Sequence, residues 1–170
     1  MALQLIKIAD VTVSSPQASV EFTSIPQGYT DLMLVCSARR TAIYADSFIR
    51  FNSDSGANYS YRLLRSDGSG TSSSSLSAQT YLQAGHFASR STYTANTFGS
   101  GSIYIPNYTS ANQKSISVDS VNENNATQAE TMLVAGLWTG TAAINSITVY
   151  PDIGYGEYAT NSTFTLYGVL

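Results

Sequence analysis

Charge is what this 170-residue chain has least of: Asp, Glu, Lys and Arg together make up 11%, against roughly 25% in an ordinary soluble protein. Eight basic residues stand against 11 acidic ones, for a formal net charge of −3. Phosphate-driven binding needs many clustered basic contacts, so nucleic acid is not expected as a partner. The single cysteine, Cys36, excludes an intrachain disulfide. Within the alternating run Leu32-Met33-Leu34-Val35-Cys36 it reads as a small buried hydrophobe in a strand and not as a reactive thiol. No stretch approaches the roughly 18 apolar residues of a membrane helix, so no membrane partner is expected. Met1 to Asp10 lacks a basic n-region, a long apolar core and a small-residue cleavage site. That points to a protein made and folded in cytoplasm.

The chain is also poor in the groups that carry chemistry. Histidine occurs once, in Gly85-His86-Phe87-Ala88. With no G-x-S-x-G elbow beside it, His86 reads as a loop or strand-edge residue and not as a general base. Asp46, Asp54, Asp67, Glu123 and Glu130 are scattered, and nothing in their spacing pairs them across a cleft. Asn52-Ser53-Asp54-Ser55-Gly56-Ala57-Asn58 alternates oxygen ligands around a glycine, but without the acidic density and closing Glu of a calcium loop it reads as a hairpin turn. Asn-x-Ser/Thr triplets beginning at Asn58, Asn107, Asn125 and Asn161 are what an Asn-, Ser- and Thr-rich chain produces by chance. The expectation is therefore no catalytic residue, no metal and no cofactor, in a binding or building-block protein.

What the chain does have is β-strand signal from end to end. The expected strands are Leu3 to Val13, Ser19 to Ile25, Asp31 to Ala38, Phe48 to Asn52, Tyr59 to Leu64, Ser102 to Ile105, Ser115 to Val121, Thr131 to Trp138, Ser146 to Tyr150 and Thr163 to Val169. Apolar and polar residues alternate most clearly in Ser19 to Ile25, Ile103 to Ile105 and Ile116 to Val121, which sends one face of each to the core. Pro26-Gln27-Gly28, Asp54-Ser55-Gly56 and Pro106-Asn107 supply turns between them. Short strands at such spacing predict an all-β, single-domain antiparallel β-sandwich, with a jelly roll as the expected form. Between Ser66 and Gly101 the pattern fades. Its Gly/Ser-rich start, Ser66 to Ser75, reads as a flexible loop tip, with room for one or two further short strands in Leu76 to Phe98.

Two regions stand out as contact candidates. Leu3, Leu5, Ile6 and Ile8 make residues 1–13 either an edge strand of the domain in residues 14–170 or an arm that adds a strand to a neighbouring subunit. Tyrosine, present 12 times, suits protein interfaces and sugar stacking, although most copies are expected as half-buried strand packing. Tyr155 and Tyr158, in Gly154-Tyr155-Gly156-Glu157-Tyr158, lie on an expected loop and are the better candidates for surface contact.

Several stretches resemble the β-rich virion proteins of tailed bacteriophages, often marine phages and cyanophages. They are Ser24-Ile25-Pro26-Gln27-Gly28-Tyr29-Thr30-Asp31-Leu32, Ile49-Arg50-Phe51-Asn52 with Asn58-Tyr59-Ser60-Tyr61, Ser115 to Asn125, Leu133-Val134-Ala135-Gly136-Leu137-Trp138, and Phe164-Thr165-Leu166-Tyr167-Gly168. These motifs mark strands and turns across most of the chain and carry no catalytic residue. The resemblance implies a virion structural protein, located on the capsid surface as a head decoration or cement protein. Its partners would be the major capsid protein and further copies of itself, a homotrimer being favoured. The alternative it implies is a tail or fibre component that binds a host receptor or glycan. The length and the apolar start favour decoration, because no shaft or attachment region precedes the domain.

Overall fold

The computed structural model describes residues 4–125, 129–152 and 154–170. Among them the chain forms strands β1 (Leu5–Thr12), β2 (Val20–Phe22), β3 (Asp31–Arg39), β4 (Ser47–Phe51), β5 (Tyr59–Ser66), β6 (Thr71–Gln79), β7 (Leu82–Gly85), β8 (Ala88–Ser89), β9 (Gly99–Ile105), β10 (Lys114–Asn122), β11 (Glu130–Trp138), β12 (Ile147–Pro151) and β13 (Thr163–Val169), and no helix. They make two sheets. The larger runs β1-β13-β3-β9-β10-β11-β5-β6 with β8 beside β3, and the smaller runs β2-β12-β4-β7. All pairings are antiparallel except that of β3 with β8. The fold is an all-β antiparallel sandwich, and every one of the ten strands expected from the alternation is present.

Alternation builds the core directly. In β10 and β11 each second residue is buried, and the register sets Val118 opposite Val134 and Ile116 opposite Gly136. From the smaller sheet Phe22, Ile49, Phe51, Ile147 and Val149 face Leu34, Ile103, Phe164 and Leu166 of the larger, all buried. Burial keeps its period through β10 where polarity does not: Ser120 is buried and Val121 exposed. The Ser120 hydroxyl is needed inside, where it accepts from the His86 amide at 2.9 Å and donates to the Met132 carbonyl at 3.2 Å.

Ser66 to Ser75 is not the flexible loop tip expected from its composition. Only Asp67 to Gly70 turns, with the Asp67 carboxylate accepting from the Ser69 and Gly70 amides at 3.0 and 3.1 Å. Thr71 onward returns as β6 along β5. Strand formation here follows the unpaired flank of β5 and not side-chain preference, which in sheets is set by context. The short strands β7 and β8 fall in the Leu76 to Phe98 stretch that left room for them.

The N-terminal segment is an edge strand. β1 lies along β13 from Leu5 opposite Val169 to Thr12 opposite Thr163, with a bulge between Lys7 and Ala9. Ile8, Ala9 and Val11 pack against the core, Ile6 is half-buried and Leu5 is exposed. Leu3 lies outside the described residues.

Two glycines of β9 admit Phe87, which is fully buried against Tyr158 and Phe164. A Cβ on Gly99 would stand 2.4 Å from the Phe87 carbonyl oxygen, and one on Gly101 2.7 Å from the Phe87 Cβ. Backbone cannot yield as a flexible side-chain tip would. Gly99→Ala is expected to lower unfolding free energy by about 1–3 kcal/mol, whereas Gly28→Ala, with nothing within 4 Å of its Cβ position, should stay within about 0.5 kcal/mol of the parent. Urea denaturation with unchanged slope checks both.

Candidate functional site

Glu130 opens β11 on the inward parity it shares with Met132 and Val134, so strand geometry carries a carboxylate into the protein. Its side chain is fully buried. One oxygen accepts from Arg65 Nη2 of β5 and from Arg90 Nη2, each at 2.6 Å. The other lies 2.9 Å from His86 Nδ1.

His86 follows β7 and is itself buried. Gly85 turns the chain there with a φ of +96°, and a Cβ at that position would meet the Ser120 hydroxyl at 2.4 Å. The far ring nitrogen, Nε2, lies 2.9 Å from Asp46 Oδ1, just before β4. Gln83 Nε2 donates to the same oxygen at 2.9 Å. Both ring nitrogens therefore face carboxylate oxygens, which is the arrangement of an imidazolium donating twice. Burial alone would push His86 down, but hydrogen bonds and charge from Asp46 and Glu130 outweigh it and hold the pKa above its ordinary 6.5. Burial would likewise raise both carboxyls. The bond from His86 outweighs it, helped by Gln83 and Arg65 at Asp46, which is held down to about 2, and by Arg90 and Arg65 at Glu130, which is also lowered.

Chemically this cluster is an electrostatic clasp. With each ring nitrogen committed to a carboxylate, His86 has no lone pair with which to take a proton from a nucleophile. The clasp instead joins the two sheets, since Glu130 and Arg65 belong to the larger one while His86 and Asp46 flank strands of the smaller.

From Asp46 the network reaches the surface. Its carbonyl accepts from Arg40 Nη1 at 2.8 Å and from the Asp152 amide at 3.2 Å, and Arg40 Nη2 donates to the Tyr155 carbonyl at 2.5 Å. Buried Arg40 thus ties together the backbones of two loops, before β4 and after β12, that carry exposed side chains: Ile43, Tyr44 and Tyr155 are all exposed, and the two tyrosine rings meet edge to face at 4.6 Å. Tyr155 is where a surface contact can use it. Tyr158 is not: it is fully buried against Phe164 at 4.8 Å, and its backbone bridges Gln17. Three residues on from Tyr155, the chain has turned inward.

The other expected sites resolve simply. The Asn52 to Asn58 segment is a turn with φ positive at Asn52 and Ser53, and the Asp54 carboxylate is taken by Gly56, Asn58 and Trp138 Nε1. Cys36 is buried, and burial pushes its thiol pKa far up. Among the described residues no group of His, Cys, Asp and Glu could hold a metal ion.

The remaining feature is the outward face of the larger sheet. One cross-strand row runs Tyr167, Met33, Tyr104, Ser117, Ala135, Arg62, and the next runs Thr165, Val35, Ser102, Asp119, Leu133, Leu64. Val35, Leu64 and Leu133 are exposed there, as is Val121 nearby. Compared with known proteins, the chain matches no family model, no curated protein and no solved structure.

The clasp makes a signed pH prediction. A raised native pKa contributes stability in full below the unfolded value of 6.5, and that contribution is lost as pH rises through the native pKa. The depressed carboxyls contribute above their unfolded values of 3.8 and 4.5 and lose it as pH falls through their native pKa values. Thermal stability should thus be greatest between pH 4.5 and 6.5 and fall on either side. Glu130→Gln should cost about 3 kcal/mol, because it strands buried cations, and should lower the midpoint of the one imidazole resonance in an NMR titration.

Proposed function

We propose that this chain is a non-enzymatic structural protein of a bacteriophage virion, acting as a capsid decoration protein that binds the assembled head and stabilises it. The observation that carries the reading is the outward face of the larger sheet: across β13, β3, β9, β10, β11 and β5 it is built mainly from small, aromatic and aliphatic side chains, the two rows described above bearing only Arg62 and Asp119 as charges, with Lys7 and Asp10 where those rows reach β1. Such a face suits broad docking on another protein's surface. A protein that binds only the assembled shell stabilises it by mass action, with no chemical step.

The strand order supports the jelly-roll expectation. β1-β13-β3-β9 lies over β2-β12-β4-β7, and the chain alternates between those two quartets as paired Greek keys do. In that reading the β5/β6 and β10/β11 hairpins are insertions that widen one sheet. Jelly rolls occur in viral capsid proteins but also in lectins and cupins, so the fold alone does not choose a function.

A second reading, a tail or fibre component that binds a host receptor or glycan, is favoured by Ile43, Tyr44 and Tyr155. Tyr44 and Tyr155 form an exposed aromatic pair, with exposed Ile43 next to Tyr44 in the chain, on two loops held from beneath by Arg40.

Co-sedimentation of labelled protein with decoration-depleted heads, and in parallel with host cells, separates the two. Decoration predicts saturable binding to heads at fixed stoichiometry and none to cells. Val35→Lys with Leu133→Lys should weaken head binding at least about tenfold while leaving thermal stability nearly unchanged, since both side chains are exposed and position 133 stands opposite Asp119. If the protein binds cells alone, and Tyr44→Ala with Tyr155→Ala abolishes that binding, the receptor-binding reading replaces the first.

A further inference from the structure

A sheet edge offers a row of unpaired N–H and C=O groups, which proteins blunt with shortness, charge, proline, bulges or a cover. The two sheets end on four strands: β1 and β6 in the larger, β2 and β7 in the smaller. β2 has three residues, and β7 has four with an irregularity in its pairing to β4. β1 carries the Lys7–Asp10 ion pair at 2.6 Å and a bulge. β6 is different. From Thr71 to Leu76 it keeps unbroken register with Ser66 to Tyr61, and its sequence, Thr-Ser-Ser-Ser-Ser-Leu-Ser-Ala-Gln, has neither charge nor proline. Its irregularity is confined to the far end, where Ala78 has a φ of +54°. β6 pairs with β5 alone, and every side chain from Thr71 to Ala78 is exposed. The smaller sheet ends at β7, beneath β5, β10 and β11, so the β5/β6 hairpin overhangs it.

We propose that β6 is a self-association edge: in solution it pairs antiparallel, across a two-fold axis, with β6 of a second copy, joining the two larger sheets into one. Two observations choose a second copy over a foreign peptide, and a third chooses the antiparallel sense. Added strands draw affinity from main-chain bonds and specificity from side-chain pockets, and a row of serines provides no pocket to select another sequence. Paired with itself, the same row meets only hydroxyls and small groups, with no like charges opposed. The antiparallel sense places the two Asp67 turns at opposite ends of the join, where a parallel one would set them side by side. Leu76, exposed on the inward face opposite Tyr61, gains cover at the join. A two-fold contact closes on itself. A trimer joined edge to edge through the larger sheet would instead set β6 head to tail onto β1, against the bulge and ion pair there.

The proposal does not rest on the virion reading, and its test uses the purified chain without heads or cells. Sedimentation velocity should give a species of twice 18.2 kDa, and hydrogen exchange should show amides within Thr71 to Leu76 protected in a concentration-dependent way. Ser73→Lys with Ser74→Lys, two exposed positions whose β5 partners are Leu64 and Leu63, should weaken the dimer at least about tenfold with unchanged circular dichroism. Ser73→Glu with Ser74→Glu should do the same, and mixing the two variants should restore a heterodimer. A chain still monomeric at about 1 mM, a dimer indifferent to these substitutions, or a trimer with freely exchanging β6 amides would overturn it.

Discussion

Keeping Glu130 ionised inside the protein is the constraint on which one end of the sandwich depends. An isolated buried carboxylate costs several kcal/mol even after relaxation, and here Arg65, Arg90 and protonated His86 offset it. Because those cations come from both sheets, neutralising one charge also fixes how the sheets meet. Asp46 completes the chain of contacts on the far side of the imidazole and passes it through its own carbonyl to Arg40 and Asp152. The position of the exposed Tyr44 and Tyr155 pair is in this sense set from the interior.

The same economy governs the other cations. Buried Lys114 donates to the carbonyls of Ser110, Asn112, Thr141 and Ala142 at 2.6 to 3.2 Å and lies 5.6 Å from the Trp138 ring. Arg39 holds the 91–97 loop by the carbonyls of Ser91, Tyr93, Thr94 and Thr97. These loops have little apolar area to bury, and a cation that collects several carbonyls satisfies backbone groups that would otherwise need water. With so few charges in the chain and so many committed inside, the outer sheet face is left to hydroxyls, tyrosines and isolated aliphatics. A surface of that kind exerts little long-range electrostatic attraction, so any contact on it depends on shape and area.

The sequence made more of this legible than its composition suggests. Alternation located ten strands, and extending its parity would have flagged the clasp: Glu130 precedes Met132 and Val134 by even steps, and Lys114 precedes Ile116 and Val118 likewise, so both charges had to point inward. What parity could not supply was the partners. His86 stands 44 residues from Glu130 and 40 from Asp46, with no local pattern linking them. Tyr155 and Tyr158 looked alike because a glycine-punctuated loop has no period from which to read a side chain's direction. β6 was missed for a related reason. Serine has little intrinsic preference for strand, and only the open flank of β5 makes it one.

By itself, then, the sequence determined an antiparallel β protein with a core on alternate residues, because a strand's two faces are fixed by a local repeat of two. Only the tertiary structure decided which sheet each strand joined, which edge stayed open, and which separated charges met. Those outcomes depend on long-range pairing and on the low-dielectric setting it creates, where a carboxylate must find its cations or not be buried at all.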